Sequence, residues 1–191
     1  IVDIPLRKAI PKDKDKKIDL LLNFLEKQSF IPRLTFLIYT NEDYSYKDYY
    51  PKKQRYFYLN KNLEKKYKFE RVVFQLQDNN KIGIVVHSKN IDFINTYLNI
   101  KNEDLFKQRI ISNFNELFDD NPYINKLTSN EKISIMYWRA SQPSGCAVPL
   151  SLQFNEKYRI GFCGDWFEGE GFGRIEGSIL SALILVQKFK T

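Results

Sequence analysis

Residues 161–184 read GFCGDWFEGEGFGRIEGSILSALI, and the organisation of the whole chain follows from how this stretch is read. A short apolar strand over 158–162 runs into Gly164-Asp165. A loop carrying Gly169, Gly171 and Gly173 follows, and a helix of small and apolar residues starts near Arg174 and continues almost to the last residue. The first turn of a helix presents unpaired N–H groups and a partial positive charge, so it can stabilise an electron-rich carbonyl or a phosphate. Close approach needs small residues, and Gly171, Gly173 and Gly177 supply them. Asp165, just past the strand, can accept hydrogen bonds from hydroxyl groups. Ser178, Ser181 and Ala182 give the helix a narrow face. The same pattern also describes a strand, turn and helix that close a core, with glycines serving turn geometry alone.

Upstream of this tail, Asp13 or Asp15 can cap a helix whose apolar face is Ile18, Leu21, Leu22 and Leu25, ending before Pro32. Residues 33–39 are rich in β-formers and read as a strand. Residues 41–53 form a polar excursion with Tyr44, Tyr46, Tyr49 and Tyr50, either a lid or a sticky, half-buried loop. A short strand over 55–59 leads into a Lys/Asn loop. Residues 69–77 and 81–88 form the clearest hairpin, joined by Asp78-Asn79-Asn80, which tolerate positive φ. The second arm is largely apolar and is expected at the centre of a sheet. Asn90 caps a short helix through Leu98. Asn102 caps a longer one with Leu105, Phe106, Ile110, Phe114 and Leu117 on one face, closed by Pro122. Residues 132–139 read as a strand carrying Trp138, and 140–150 as a loop rich in Pro, Ser and Gly. The fold class is α+β: a twisted, antiparallel-rich sheet backed by helices, with a C-terminal strand–glycine loop–helix appended.

With 191 residues the chain can bury a sizeable core, and 43% hydrophobic residues place it among globular rather than disordered proteins. A net charge of +7 fits a nucleic-acid binder, but also a soluble protein with scattered lysines. The densest run, residues 12–17, is interrupted by acids and reads as a solvated helix start. Cys146 and Cys163 are too few for a disulfide framework, so a reducing, cytoplasmic setting is expected. No apolar run approaches the ~18 residues of a membrane span, and no signal peptide or metal-ligand spacing is legible. Ile1-Val2-Asp3-Ile4-Pro5 reads like the end of a strand cut from a longer chain.

Gly164-Asp165-Trp166, then Gly173-Arg174-Ile175-Glu176-Gly177-Ser178, then Ser181-Ala182 resembles the C-terminal flavin segment of the FAD-dependent amine-oxidase superfamily, and within it the renalase-like NAD(P)/FAD-dependent oxidoreductases. Trp138-Arg139-Ala140-Ser141-Gln142 resembles the tryptophan strand of that family. Residues 84–88, with His87, resemble its histidine strand. Pro32-Arg33-Leu34-Thr35-Phe36-Leu37 resembles the strand that opens its substrate domain. The resemblance runs across essentially the whole chain, with no single motif decisive.

That resemblance implies a substrate-binding domain over 1–155 and, over 156–191, the C-terminal segment of a split FAD-binding domain. Gly164, Asp165, Gly173, Arg174, Ile175, Glu176 and Gly177 would contact the flavin. His87, Trp138, Arg139 and Arg33 would line the substrate site, although each also has a structural reading: a satisfied core histidine, a core anchor and two surface-paired arginines. Cys163 reads as a small buried residue rather than a covalent tether. Such enzymes open with a strand–GxGxxG–helix unit that grips the FAD pyrophosphate, and no such unit stands near the start here. The implied full-length parent oxidises dihydronicotinamide isomers of NAD(P)H by hydride transfer to flavin, with dioxygen as acceptor. This fragment, lacking its N-terminal partner half, is expected to bind FAD weakly or not at all and to be inactive alone. The face left bare would be apolar, and a homodimer through it is a further expectation.

Within the same superfamily, an amine oxidase or a desaturase is the alternative. In a different class stands a basic nucleic-acid-binding module that stacks bases on exposed Tyr and Phe. It is disfavoured because the chain carries no RNP, KH or zinc signature and its lysines do not cluster on one face.

Overall fold

The computed structural model describes residues 15–40, 55–76, 82–121, 124 and 126–190. They divide into two compact units, Pro32–Arg139 on the one hand and Ile1–Ile31 with Ala140–Thr191 on the other. The segment 156–191 thus belongs to a unit that also takes in 140–155 and 15–31. Two long strands, β1 (Ser29–Tyr39) and β5 (Lys132–Ser144), cross the division.

The central unit is a five-stranded antiparallel sheet with helices on one face. After β1 come β2 (Tyr56–Tyr58), the helix Lys61–Tyr67, β3 (Arg71–Leu76), β4 (Ile82–Ser88), the helix Ile91–Asn99, the helix Glu103–Leu117, and β5. The strand order is β2-β3-β4-β1-β5, which puts β4 in the middle, where its apolar content predicts it. Yet β4 is not buried evenly. Ile82, Ile84, Val86 and Ser88 are buried and the residues between them are less so. That period of two means one sheet face carries the core. Leu34, Phe36 and Ile38 of β1, with Val72 and Phe74 of β3, join them on that face. Against it lie Phe93 and Ile94, and Phe106, Ile110 and Phe114. Phe93 and Phe106 stack 4.7 Å apart, and Phe36 tilts against both.

The helix caps follow from the side chains. Asn90 accepts from Phe93 N–H and Asn102 from Asp104 N–H and Leu105 N–H, each supplying an acceptor that the first turn lacks. The second helix, Lys61–Tyr67, stands where the sequence reading expected a loop. Asn60 caps it, Glu64 lies in its first turn, Lys65 and Lys66 lie in its last, and Lys68 closes it in the left-handed region at φ 65°. These are complete start and stop signals. They are hard to read because Tyr67 is the only buried residue of the helix, so no apolar stripe marks it. Leu105 is exposed, not part of the helix face predicted to pack, whereas Phe106 one residue on is fully buried. The helix closes on Phe118, inside the core; Pro122, the expected stop, lies outside the described residues, as do 1–14, the tyrosine excursion 41–53 and the hairpin link 78–80.

The other unit is smaller. The N-terminal helix, α1 (Lys16–Glu26), is capped by Asp15, whose carboxylate accepts from Ile18 and Lys17 N–H; Asp13 lies outside the described residues. The Ile18 bond foremost, and then one with the Asn155 side chain, hold the Asp15 pKa below the ordinary aspartate value. Ile18, Leu21 and Leu22 are buried, and Leu25 packs alongside. β6 (Phe154–Asn155) and β7 (Ile160–Gly161) form a two-stranded hairpin, and α5 (Ile175–Lys190) ends the described chain. β5 runs on to Ser144, beyond the Arg139 end that the sequence suggests, through residues expected to loop.

Candidate functional site

Two places carry the candidate residues, one in each unit. In the smaller unit the tail loop is tightly pinned. Val148 N–H donates to the Trp166 carbonyl and Glu168 N–H to the Val148 carbonyl, both at 2.9 Å. Phe167 is buried with Leu21, Val148 and Leu152. Gly173 N–H donates to the Asp165 carbonyl at 2.7 Å, which locks Asp165 beside the start of α5. Ser181 is buried, accepts from Gly164 N–H at 2.9 Å and donates back to the Gly164 carbonyl or to Ser178. The Gln153 side chain, fully buried, donates to the Ser181 carbonyl.

The glycines of this segment also serve the packing of the chain on itself. A methyl carbon on Gly177 would lie 2.3 Å from the Gly171 carbonyl oxygen, and one on Gly171 would lie 2.5 Å from Gly177 nitrogen. Backbone therefore packs on backbone here. Gly173, at φ 72°, closes against the Gln142 side chain. Gly164 sits under the Trp166 indole. Gly177 is consequently buried, but Ile175 and Glu176 stay at the surface, Ile175 at 81% exposure. Arg174 forms an exposed ion pair with Glu176 at 3.3 Å, worth little to stability in water. α5 also exposes Ile179, Leu180, Leu183 and Val186, an apolar stripe on a helix. Cys163 is exposed, which corrects its expected burial; it lies just past the end of β7, where Phe162 before it packs against the core cluster of this unit and Cys163 faces outward. Cys146 and Cys163 are both free.

In the central unit, strand register gathers what the sequence scattered. On the sheet face turned away from the core, Tyr58 pairs with Arg71, Arg71 with His87 and His87 with Thr35. Trp138 of β5 completes the row by donating its indole N–H to Thr35 Oγ1 at 3.1 Å, while Thr35 Oγ1 lies 3.0 Å from His87 Nδ1. The indole can only donate and the hydroxyl has one proton. The polarity that uses every group runs from Trp138 N–H to Thr35 O–H to His87 Nδ1, leaving the imidazole N–H on Nε2. A parallel row of Tyr56, Val73, Val85 and Leu37 adds an apolar neighbour.

His87 is neutral under physiological conditions. Burial, then the charges of Arg71 and Arg33, lower its pKa from 6.5 to about 4, against a smaller opposing pull from Glu70. The folded pKa lies below the unfolded one. Between pH 6.5 and about 4 the unfolded chain therefore takes up a proton that the folded chain refuses, and stability falls as pH drops through that window. At about 1.4 kcal/mol per pH unit, reduced for its half-buried position, His87 accounts for roughly 1–3 kcal/mol of the acid-linked loss. Urea unfolding of the wild type and of His87→Gln at pH 7 and pH 4 checks this, with the smaller loss expected in the variant. Thr35→Val, which orphans both Trp138 N–H and His87 Nδ1, is expected to cost about 1–3 kcal/mol at pH 7.

His87 and Trp138, two of the four expected substrate-lining residues, thus meet through Thr35. Arg33 instead pairs with Glu70 at 3.0 Å, with side chains only 12% and 17% exposed, so it is engaged inside the unit rather than at its surface. Arg139 is exposed. Arg71, Thr35 and Tyr58 were not singled out from sequence. Only Thr35 carries a local signal, as a polar residue between the buried Leu34 and Phe36. No group of three His, Cys, Asp or Glu among the described residues could hold a metal ion, and no helix among them is long and apolar enough to cross a membrane.

In comparisons with known proteins, the chain matches no family model and no curated protein at a significant level.

Proposed function

We propose that this chain carries the substrate domain and the flavin-end segment of a renalase-like FAD-dependent oxidoreductase, whose ADP-binding unit lies outside this sequence. The observation that carries the reading is the hydrogen bond from Gly173 N–H to the Asp165 carbonyl. It sets a half-buried aspartate beside the exposed first turn of α5, a carboxylate for hydroxyls next to a helix N-terminus for negative charge. FAD, when bound, supplies the hydride acceptor and the two-electron reduction of dioxygen to hydrogen peroxide.

The residues of the chain have separate tasks. Asp165 accepts from ribityl hydroxyls. The N–H groups of Ile175 and Glu176 favour negative charge at the pyrimidine edge, and the pairing of Arg174 with Glu176 offsets the carboxylate there. In the other unit, Tyr58 and Trp138 offer ring faces, Arg71 a cation and neutral His87 a hydrogen bond, which suits a flat, anionic dihydronicotinamide dinucleotide. With its pKa near 4, His87 serves as a neutral hydrogen-bonding wall and not as a general acid at pH 7. The apolar stripe of α5 supplies the face for the remaining FAD-binding half, or for a second copy when that half is absent.

The gene product encoded with its upstream sequence is expected to be yellow and to release one peroxide per dihydronicotinamide isomer oxidised. Asp165→Asn should weaken flavin retention without lowering the melting temperature, and the present chain alone should bind FAD weakly or not at all. Turnover of amines in place of dihydronicotinamides would move the protein to the amine-oxidase alternative, and turnover of polyenes to the desaturase one. A colourless product that binds oligonucleotide in a salt-sensitive way would end the flavin reading altogether.

A further inference from the structure

The smaller unit contains a cleft of about 520 Å³ that the flavin reading does not use. Its lining is Lys17, Phe154, Glu156, Arg159 and Lys188. Three cations from three elements therefore face it, with one carboxylate. Lys17 lies in the first turn of α1, Arg159 in the turn between β6 and β7, and Lys188 in the last turn of α5. Gathered like charges repel one another, so such a cluster is poised for a counter-anion. Burial, and then the Lys17 charge, draw the Lys188 pKa below the ordinary lysine value.

Two of the three cations are held in place. Lys188 Nζ donates to the Leu150 carbonyl at 2.6 Å. The Arg159 guanidinium lies 5.8 Å from the ring centres of both Phe154 and Phe189, which themselves meet edge to face at 4.6 Å. Arg159 also adopts φ 53°, a left-handed conformation that Asn or Gly adopts at lower cost. The turn thus holds an arginine where a smaller residue would be less strained, and the arginine lines the cleft.

We propose that this cleft binds a phosphorylated small molecule, with its phosphate held among Lys17, Arg159 and Lys188. The volume lies within the roughly 300–1,000 Å³ of small-molecule sites and exceeds what a bare phosphate fills. Phe154 offers an apolar wall to the rest of the ligand and Glu156 an acceptor for its hydroxyls. The site is separate from the flavin-end residues and stands or falls without them.

The test is an NMR titration of the whole chain with inorganic phosphate, ribose 5-phosphate and, as controls, sulfate and a short oligonucleotide at matched ionic strength. Saturable shifts centred on Phe154, Arg159 and Lys188 are expected, with ribose 5-phosphate binding more tightly than phosphate and phosphate more tightly than sulfate. Arg159→Asn keeps a residue suited to the left-handed turn. It should weaken ribose 5-phosphate binding about tenfold while leaving the melting temperature level or higher. Lys17→Gln, at the half-buried start of α1, should give a similar loss independently of the turn. Unsaturable or sulfate-equal shifts, unchanged affinity in both variants, or tighter binding of the oligonucleotide at this cleft would each overturn the proposal.

Discussion

Gly177→Ala is expected to destabilise the smaller unit by about 3 kcal/mol or more, although alanine inside a helix is ordinarily favoured over glycine by roughly 1 kcal/mol. The new methyl would sit 2.3 Å from the Gly171 carbonyl oxygen and 2.7 Å from its carbon. Both are backbone atoms, so no rotamer change relieves the clash. Either α5 moves off the loop or the loop opens. Gly171→Ala should be at least as costly, because its methyl would meet Gly177 nitrogen at 2.5 Å and its φ of +82° is itself unfavourable for alanine. Gly169→Ala is the control. Its φ is +127° but nothing lies within 4 Å of the added carbon, so only backbone strain of about 1 kcal/mol or somewhat more remains. Hydrogen exchange of the α5 amides reads the effect locally. A Gly177→Ala variant as protected as the wild type would show that helix and loop do not pack as described. The contact also sets where the exposed first turn of α5 stands relative to Asp165, the arrangement on which the proposed flavin contact depends.

Glu70→Gln is expected to cost the central unit roughly 2–4 kcal/mol. Glu70 receives Arg33 at 3.0 Å and Lys89 at 3.4 Å, and its own N–H donates to the His87 carbonyl at 2.7 Å. Glutamine keeps the shape but removes the Glu70 charge that faces the largely buried Arg33 guanidinium. The loss should be strongly non-additive with Arg33→Met, because each change removes the same interaction. The same variant carries an electrostatic signature. Glu70 is the group that raises the His87 pKa against Arg71 and Arg33, so its neutralisation should push His87 below its value of about 4. An imidazole titration by NMR that moves upward instead would contradict the placement of these charges.

Much of the secondary structure is legible because its causes are local. Asn90 and Asn102 each sit one residue ahead of a helix that they cap, and Ile18, Leu21 and Leu22 repeat at helical spacing within one segment. The hairpin of β3 and β4 follows from two apolar arms close in sequence. What was missed is also local in origin but weak in signal. The helix Lys61–Tyr67 buries only Tyr67, and β5 continues past Arg139 through Pro143, a residue that argues against a strand.

The candidate sites divide in the same way. By itself, the sequence determined the α+β class, the central place of β4 and the strand–glycine loop–helix at the tail. Only the tertiary structure decided that His87 and Trp138 meet, that Thr35 joins them, that Arg71 rather than Arg33 stands in their row, and that Lys17, Arg159 and Lys188 share a cleft. The physical reason is register. A strand shows each neighbour every second residue, and a slip of one position would turn Thr35 and His87 into the core; nothing near either residue in sequence specifies that β1 lies against β4 with residue 35 opposite 87.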